Sequence, residues 1–363
     1  MSVFRWPYPP APSQGHWGNV TSLIDWCEEN YVVSPYIAEW SNTLTNAIFV
    51  LVAVYYTYCS LRNSMEYRFV LIGLGFALVG VGSWWFHMTL QYKYQLLDEL
   101  PMVYATATPA WSLLCEFDWK TKSKRDKSRI SRTREVVMGI LVAGFATLLT
   151  WIYLVFRYPL IFQASYGFLN FVVVGISGTF AYQLTSRSPR VKKNLYMTMA
   201  IGVVLFVLGF VLWELDNTLC NVWIHIRRHY LGLPWGLFFE FHAWWHLLTG
   251  AGVYYYIVFL AYLRLLNLGV ENQYLYIWRW RILPELVKKD SAITTKYSLS
   301  FWGPLQSEAT RRGKKVKKSA KTAKSQAVGS GAATDDKKKK KKGKKVAKKA
   351  VKSDTAATSS AAK

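Results

Sequence analysis

Seven long apolar runs restrict the folds that are open to this chain more than any other feature. They cover residues 44–61, 69–88, 96–115, 136–156, 160–182, 195–215 and 243–263, each of roughly 18 to 23 residues. A single helix needs about 20 such residues to cross a bilayer. Seven of them cannot all be buried in a water-soluble core formed by 363 residues. The sequence therefore predicts an all-α, polytopic integral membrane protein, a bundle of seven transmembrane helices.

The positions of Lys and Arg between these runs predict the orientation. Eight of them lie in the loop 120–134, after the third run, and others follow the first and fifth runs. The alternate loops carry only one or two each. Because cytosolic loops are enriched in Lys and Arg, the pattern predicts an N-terminus that is luminal or extracellular and a cytosolic C-terminus.

The hydrophilic segments divide the chain into four parts. We expect a luminal N-terminal segment (1–41), a seven-helix membrane domain (42–265), a cytosolic interfacial segment (266–310) and a disordered Lys-rich tail (311–363). The tail holds 20 Lys and Arg against 3 Asp, so it carries most of the net charge of +24. We expect the tail to be solvated or to contact anionic lipids. Charge confined to a tail does not indicate that the folded part binds a specific nucleic acid.

Three histidines lie in the predicted helices, where an ionisable side chain is costly unless it is paired or bound to a metal. His87 is near the end of the second run, and His242 and His246 open the seventh. The predicted topology brings all three to the luminal side, and the i, i+4 spacing puts the last two on one helix face. Three imidazoles suit a tetrahedral zinc that keeps one position for water. Alternatively, the tryptophans beside them indicate an aromatic belt at the membrane interface.

Two further polar residues share this membrane depth. Ser83 precedes His87 by one helical turn, and Asp98 opens the third run. A zinc ion lowers the pKa of its bound water to about 7 and polarises a carbonyl group. Asp98 would then transfer protons between that water and a leaving amine. Ser83 would donate a hydrogen bond to the oxyanion.

The predicted luminal segment contains a cluster of acidic and amide side chains: Asp25, Glu28, Asn30 and Glu39. Their oxygens suit a hard cation such as calcium. The spacing matches no EF-hand loop, and acidic luminal loops are common without a metal. Taken by itself, the cluster is weak evidence for a calcium site.

Other luminal residues allow three smaller predictions. Cys27 and Cys220 both fall on the side where oxidation is permitted, so we predict a disulfide between them. Asn19 begins the sequon Asn-Val-Thr and is a predicted glycosylation site. Glu214, Asp216 and Asn217 at the end of the sixth run either support the histidine site or form a solvated helix end, and we favour the solvated end.

These residues occur together in a known family. Over about residues 15–285 the chain resembles the alkaline ceramidases, within the superfamily that also contains the adiponectin and progestin receptors. The motifs that carry the resemblance are Asp25-Trp-Cys-Glu28, Asn30, Glu39, Ser83-Trp-Trp-Phe-His87, Asp98 and His242-Ala-Trp-Trp-His246. The Lys-rich tail is not part of it.

The resemblance implies a zinc-dependent enzyme in which residues 42–265 form the catalytic domain. It implies a catalytic Zn²⁺ on His87, His242 and His246, with Ser83 and Asp98 in catalysis. It also implies a structural or regulatory Ca²⁺ held by Asp25, the carbonyl of Trp26, Glu28, Asn30 and Glu39. The implied reaction is hydrolysis of ceramide, with phytoceramide or dihydroceramide favoured, to a sphingoid base and a fatty acid. The reverse condensation is chemically allowed, and the endoplasmic reticulum or Golgi is the implied location.

Two other functions remain open at this point. The first is a zinc-containing receptor of the adiponectin or progestin type, although adiponectin receptors have the opposite orientation to the one predicted here. The second is a transporter or structural membrane protein without a metal, in which replacing the histidines would leave function unchanged. Neither the acyl-chain preference nor the oligomeric state follows from the sequence.

Overall fold

The computed structural model describes residues 4–12, 14–116, 132–184 and 189–289. The Lys-rich tail and most of the loop 120–134 lie outside these ranges, so the expectations for both segments stay predictions.

The described part of the chain is mostly helical. Its nine α-helices are α1 (Trp40–Thr45), α2 (Ala47–Arg62), α3 (Tyr67–Thr89), α4 (Tyr92–Glu116), α5 (Arg132–Phe156), α6 (Pro159–Gln183), α7 (Pro189–Thr218), α8 (Cys220–His225) and α9 (Phe241–Leu268). A π-helical turn (Ile226–Leu231) and a 3₁₀ turn (Trp235–Phe239) connect α8 to α9. Pro159 begins α6, where its missing N–H costs no helical hydrogen bond. Gly269 ends α9 with φ +71°, a conformation that favours glycine.

Six stretches of the described chain are long and apolar enough to cross a membrane. They are Trp40–Arg62, Tyr67–Thr89, Arg132–Phe156, Pro159–Gln183, Pro189–Thr218 and Phe241–Leu268. Each matches one predicted run, and the chain is a helical, polytopic membrane protein. The remaining run, 96–115, lies in α4, which has 25 residues but also contains Gln95, Asp98, Glu99 and two prolines. These polar residues make α4 less apolar than the six, and a seventh span stays a prediction.

Close approach of two helices positions the polar residues of α4. Gly82 of α3 faces the backbone carbonyl of Leu97, and a Cβ at residue 82 would collide with that oxygen. Small residues at such crossings let helix backbones come close together. The contact therefore brings the next residue on each helix, Ser83 and Asp98, to the same level.

A small β-hairpin follows α9, so an all-α fold is an incomplete description. Strands β1 (Tyr274–Arg279) and β2 (Leu283–Lys288) pair antiparallel. The buried Glu285 accepts hydrogen bonds from Arg279 and, at 3.1 Å, from the Tyr55 hydroxyl of α2. The hairpin therefore packs at the end of the bundle where α2 and α9 finish. The opposite end, which carries His87, His242 and His246, is called the histidine end below.

Candidate metal centre

The three predicted histidines converge at the histidine end. His87 comes from the last turn of α3, and His242 and His246 come from the first two turns of α9. One ring nitrogen from each lies within 4.8 Å of the others, and all three side chains are buried. The ring centroids are 4.7 to 5.1 Å apart. Among the described residues this is the one group of three or more His, Cys, Asp or Glu side chains arranged closely enough to hold a metal ion.

Neighbouring side chains orient these imidazoles. Nδ1 of His87 hydrogen-bonds Oε2 of the buried Glu39, and Nδ1 of His246 lies 3.1 Å from the Thr45 hydroxyl. Metal-binding histidines usually use their second ring nitrogen for such a bond, which sets the tautomer. In both cases Nε2 is left for a ligand.

The third histidine has a buried polar atom that needs a partner. His242 stacks on the indole of Trp26, with ring centroids 4.3 Å apart, and its Nδ1 has no hydrogen-bond partner within the described ranges. Leaving a buried polar nitrogen unpaired is costly. The donor set of three buried imidazoles, two of them oriented, therefore fits a zinc ion.

Ser83 and Asp98 lie next to this triad. Ser83 is buried one helical turn before His87, and it interacts with Asp98 where α3 crosses α4. Asp98 also lies close enough to Glu39 for their charges to interact. A hydroxyl and a carboxylate thus lie at the same end of the bundle as the three imidazoles, and their catalytic roles stay predictions.

The predicted calcium residues are brought together, but each carboxylate also has a partner within the protein. Asp25 accepts hydrogen bonds of 3.1 and 3.2 Å from the Asn30 amide. Glu28 accepts bonds of 2.6 and 2.8 Å from the backbone N–H groups of Ser41 and Asn42, at the start of α1. Glu39 accepts bonds of 3.2 Å from the Trp26 N–H and 3.0 Å from the Asn42 side-chain amide, besides its contact with His87.

Burial dominates the electrostatics of this cluster. It raises the pKa of Asp25, raises that of Glu28 to about 7, and raises that of Glu39 well above its ordinary value. Repulsion between neighbouring carboxylates adds to the rise in pKa, from Glu39 on Glu28 and from Asp25 on Glu39. A cation would relieve both the burial penalty and the repulsion.

Comparison with known proteins identifies the family. The model of the Ceramidase family matches residues 18–287. "Alkaline ceramidase YPC1" of Saccharomyces cerevisiae is 46% identical over 317 residues, which are 87% of this chain and 100% of the yeast protein. This chain belongs to the alkaline ceramidase family. "Alkaline ceramidase 3" of Mus musculus is 37% identical over 261 residues, 72% of this chain and 90% of its own length.

A more distant relative gives the same result. "Putative alkaline ceramidase dcd3A" of Dictyostelium discoideum is 30% identical over 270 residues, 68% of this chain and 88% of its own length. The resemblance to alkaline ceramidases is confirmed, and the chain is an enzyme of that family. The matched range contains every residue of the candidate centre.

A disulfide and a buried ion pair lie beside the candidate centre. The structure joins Cys27 to Cys220, the predicted pair, with Cα atoms 5.3 Å apart. Arg227 is buried between the Glu240 carboxylate and, at 2.8 Å, the Cys27 carbonyl. This ion pair gave no signal in the sequence, because an Arg and a Glu in a hydrophilic connection resemble ordinary surface residues.

The interpretation of residues 214–217 as a solvated helix end is wrong for Asp216. This carboxylate is buried, and its Oδ1 accepts a hydrogen bond of 3.1 Å from the Phe241 N–H at the start of α9. It therefore stabilises the helix N-terminus that carries His242. Asn19, the predicted glycosylation site, is exposed.

Proposed function

We propose that this enzyme hydrolyses the amide bond of ceramide in a zinc-dependent reaction that yields a sphingoid base and a fatty acid. The observation that carries the proposal is the convergence of His87, His242 and His246 at the end of the bundle where Ser83 and Asp98 lie at the same level. The names of its relatives as ceramidases support the substrate class. Phytoceramide and dihydroceramide are the substrates we favour.

Each residue has a distinct part in the proposed reaction. His87, His242 and His246 would hold the zinc, which when bound activates water and polarises the amide carbonyl. Asp98 accepts a proton from the attacking water and delivers it to the leaving amine, and so acts as general base and then general acid. Ser83 donates a hydrogen bond to the oxygen that becomes negative in the transition state. Glu39 keeps the His87 ring in its orientation. The same groups serve the reverse condensation.

We propose that the chain crosses the membrane seven times, with α4 as the third span. Its N-terminus is then luminal and its C-terminus cytosolic. The disulfide between Cys27 and Cys220 supports a luminal histidine end, because disulfides persist in oxidising compartments. We propose the endoplasmic reticulum or Golgi as the location. A ceramide would then keep its acyl chains in the bundle region while its amide reaches the histidine end.

We also propose a structural or regulatory calcium ion on Asp25, the Trp26 carbonyl, Glu28, Asn30 and Glu39. The raised pKa values of the three carboxyl groups support this proposal, because a cation bound among them would stabilise their ionised forms. The buried Oδ1 of Asn30 lacks a hydrogen-bond partner in the described region, which suits a ligand atom.

The test is release of sphingoid base by purified protein from phytoceramide, dihydroceramide and an unsaturated ceramide. It compares wild type with His246→Ala and measures bound zinc in both. His229→Ala is the matched control, because His229 is an exposed histidine of the same chain. We expect turnover and zinc in wild type and in His229→Ala, and loss of both in His246→Ala.

Two results would contradict the proposal. Zinc in the wild type without turnover of any ceramide would favour the receptor alternative. Turnover that persists in His246→Ala after zinc is lost would remove the metal from the reaction.

A further inference from the structure

Residues 4–6 and the connection 230–238 carry five strongly exposed aromatic side chains. They are Phe4 at 69%, Trp6 at 55%, Tyr230 at 67%, Trp235 at 50% and Phe238 at 57%. We call this set the aromatic rim. Since a large aromatic side chain has about 200 Å² of surface, the rim exposes roughly 600 Å². Apolar patches of this size on a folded protein usually mark an interaction surface.

Backbone contacts hold the two halves of the rim together. Trp6 and Leu233 exchange N–H···O hydrogen bonds of 3.0 and 2.8 Å. The Trp235 indole donates a bond of 3.1 Å to the Phe4 carbonyl, and its ring stacks on Phe238 at 6.3 Å. These contacts make one surface from residues more than 220 positions apart in the sequence.

The guanidinium group of Arg5 extends this surface toward Tyr230. It donates a hydrogen bond of 3.0 Å to the carbonyl of His229, the residue that precedes Tyr230. Tyr8 is buried behind the rim, where it fills the space beside Gly236. The rim is therefore fixed to the protein by its backbone while its rings point outward.

The rim adjoins surfaces that face lipid. The outer side of α7 exposes five apolar residues and belongs to a candidate span: Val204, Val207, Leu208, Phe210 and Val211. Leu219 and Val222, also exposed, link the end of α7 along the chain to the connection that carries Tyr230. On the other side, the Trp244 indole of α9 donates a bond of 3.0 Å to the Phe238 carbonyl.

We propose that the aromatic rim inserts into the headgroup layer of the leaflet at the histidine end. Tryptophan and tyrosine are enriched at this depth because an apolar ring and a polar edge suit the boundary. Exposed histidines at 225 and 229 and the Arg5 side chain border the rings with groups that suit lipid phosphates. Continuity with the lipid-facing side of α7 favours lipid over a protein partner.

The rim would set the depth of the metal centre in the bilayer. The connection that carries Trp235 and Phe238 leads directly into α9, which begins at Phe241 and carries His242 on its first turn. An anchor here prevents this end of the bundle from rising into water or sinking into the hydrocarbon. The inference concerns only the position of the protein in the membrane and is independent of the metal.

Environment-sensitive probes at single cysteines test the insertion. Trp235→Cys and Phe238→Cys are labelled in phosphatidylcholine nanodiscs, and Lys93→Cys is the control because Lys93 is exposed near the same end of the bundle. Among the described cysteines, Cys59 and Cys115 are buried and the other two form the disulfide, so the background labelling is low. We expect blue-shifted emission at residues 235 and 238, quenching by headgroup-labelled nitroxide lipids, and protection from aqueous iodide. The Lys93 probe should be quenched by iodide.

Iodide quenching of all three probes alike would overturn the proposal, because the rim would then face water. Protection from iodide that disappears when the protein is diluted to one copy per nanodisc would also overturn the proposal. The rim would then contact a second copy of this chain and not lipid.

Trp235→Phe provides a second measurement that keeps an aromatic ring at this position. The difference between its emission and that of wild type reports Trp235 alone. Brominated lipids should quench this difference signal. Quenching by aqueous acrylamide in place of the brominated lipids would contradict insertion.

Discussion

Replacing Glu39 by Gln tests whether this carboxylate orients His87 for zinc. Glu39 contacts three donors: the ring of His87, the Trp26 N–H and, at 3.0 Å, the side-chain amide of Asn42. Gln preserves the size and one acceptor oxygen but removes the negative charge that Glu39 carries opposite His87 once the cations are bound, since a bound cation lowers the raised pKa of this carboxyl. A hydrogen bond to a charged group contributes about 1.5–3 kcal/mol, against about 0.5–1.5 kcal/mol for a neutral one. The midpoints of these ranges differ by about 1.3 kcal/mol, which corresponds to a loss in zinc affinity of roughly eight- to tenfold.

That estimate lies at the lower end of the range of about 10- to 100-fold for groups that support metal ligands. The assay is competition for zinc between the protein and a chelator of known affinity, at saturating calcium, together with ceramide turnover at fixed zinc. Excess zinc should partly restore turnover in Glu39→Gln, because the ligands themselves are intact.

Glu28→Gln is the matched control. Glu28 belongs to the same acidic cluster, but its oxygens bond the N–H groups of Ser41 and Asn42. We expect its zinc affinity to be unchanged. Equal losses in both variants would mean that the effect comes from calcium or folding. Wild-type zinc affinity in Glu39→Gln would refute the orienting role.

Three further predictions concern the disulfide, the acidic cluster and the catalytic pair. Cys27→Ser should lower the free energy of unfolding by about 2–5 kcal/mol and therefore lower the melting temperature. Dithiothreitol should lower the melting temperature of the wild type to the same extent and leave that of the variant unchanged. Equal melting curves for wild type and variant would contradict a stabilising disulfide. Burial raises the pKa of Glu28 to about 7 in the folded state, so this carboxyl binds its proton more tightly in the folded than in the unfolded protein. Without calcium, the free energy of unfolding should therefore fall by roughly 3 kcal/mol as the pH rises from about 4.5 to 7. Melting at both pH values with and without calcium measures this loss, which should be absent in Glu28→Gln. Ser83→Ala should lower kcat by about 10²–10³-fold, and Asp98→Asn should lower it by about 10²–10⁴-fold. Both variants should keep their bound zinc. Loss of zinc in either variant would indicate that the replaced residue has a structural role.

Local sequence was sufficient for the helices and insufficient for the hairpin. An apolar run long enough to span a bilayer forms a helix because every backbone polar group must be satisfied within the segment. The six candidate spans therefore coincide with predicted runs. Strands β1 and β2 lie outside the candidate spans, so the need to satisfy backbone hydrogen bonds within a bilayer does not predict them. They depend on the burial of Glu285 against Arg279 and the α2 side chains, which are distant in sequence.

For the candidate centre too, some features follow from local sequence and others depend on tertiary packing. His242 and His246 share a helix face by their spacing alone, and the topology of the spans brought His87 to the same end of the molecule. The bond between Glu39 and His87 could not be predicted, because it joins residues 48 positions apart through the packing of α1 against α3. The position of Asp216 at a helix end predicts a solvated carboxylate, but in the structure it accepts a hydrogen bond from the start of α9.

The sequence by itself determined the membrane class, the helical runs and the identities of the residues that could bind a metal. Helix formation and membrane burial depend on composition over about 20 consecutive residues. Only the tertiary structure decided which carboxylate supports which histidine and that residues 4 and 235 belong to one surface. Those contacts depend on the directions of side chains brought together from distant segments, and no local pattern encodes them.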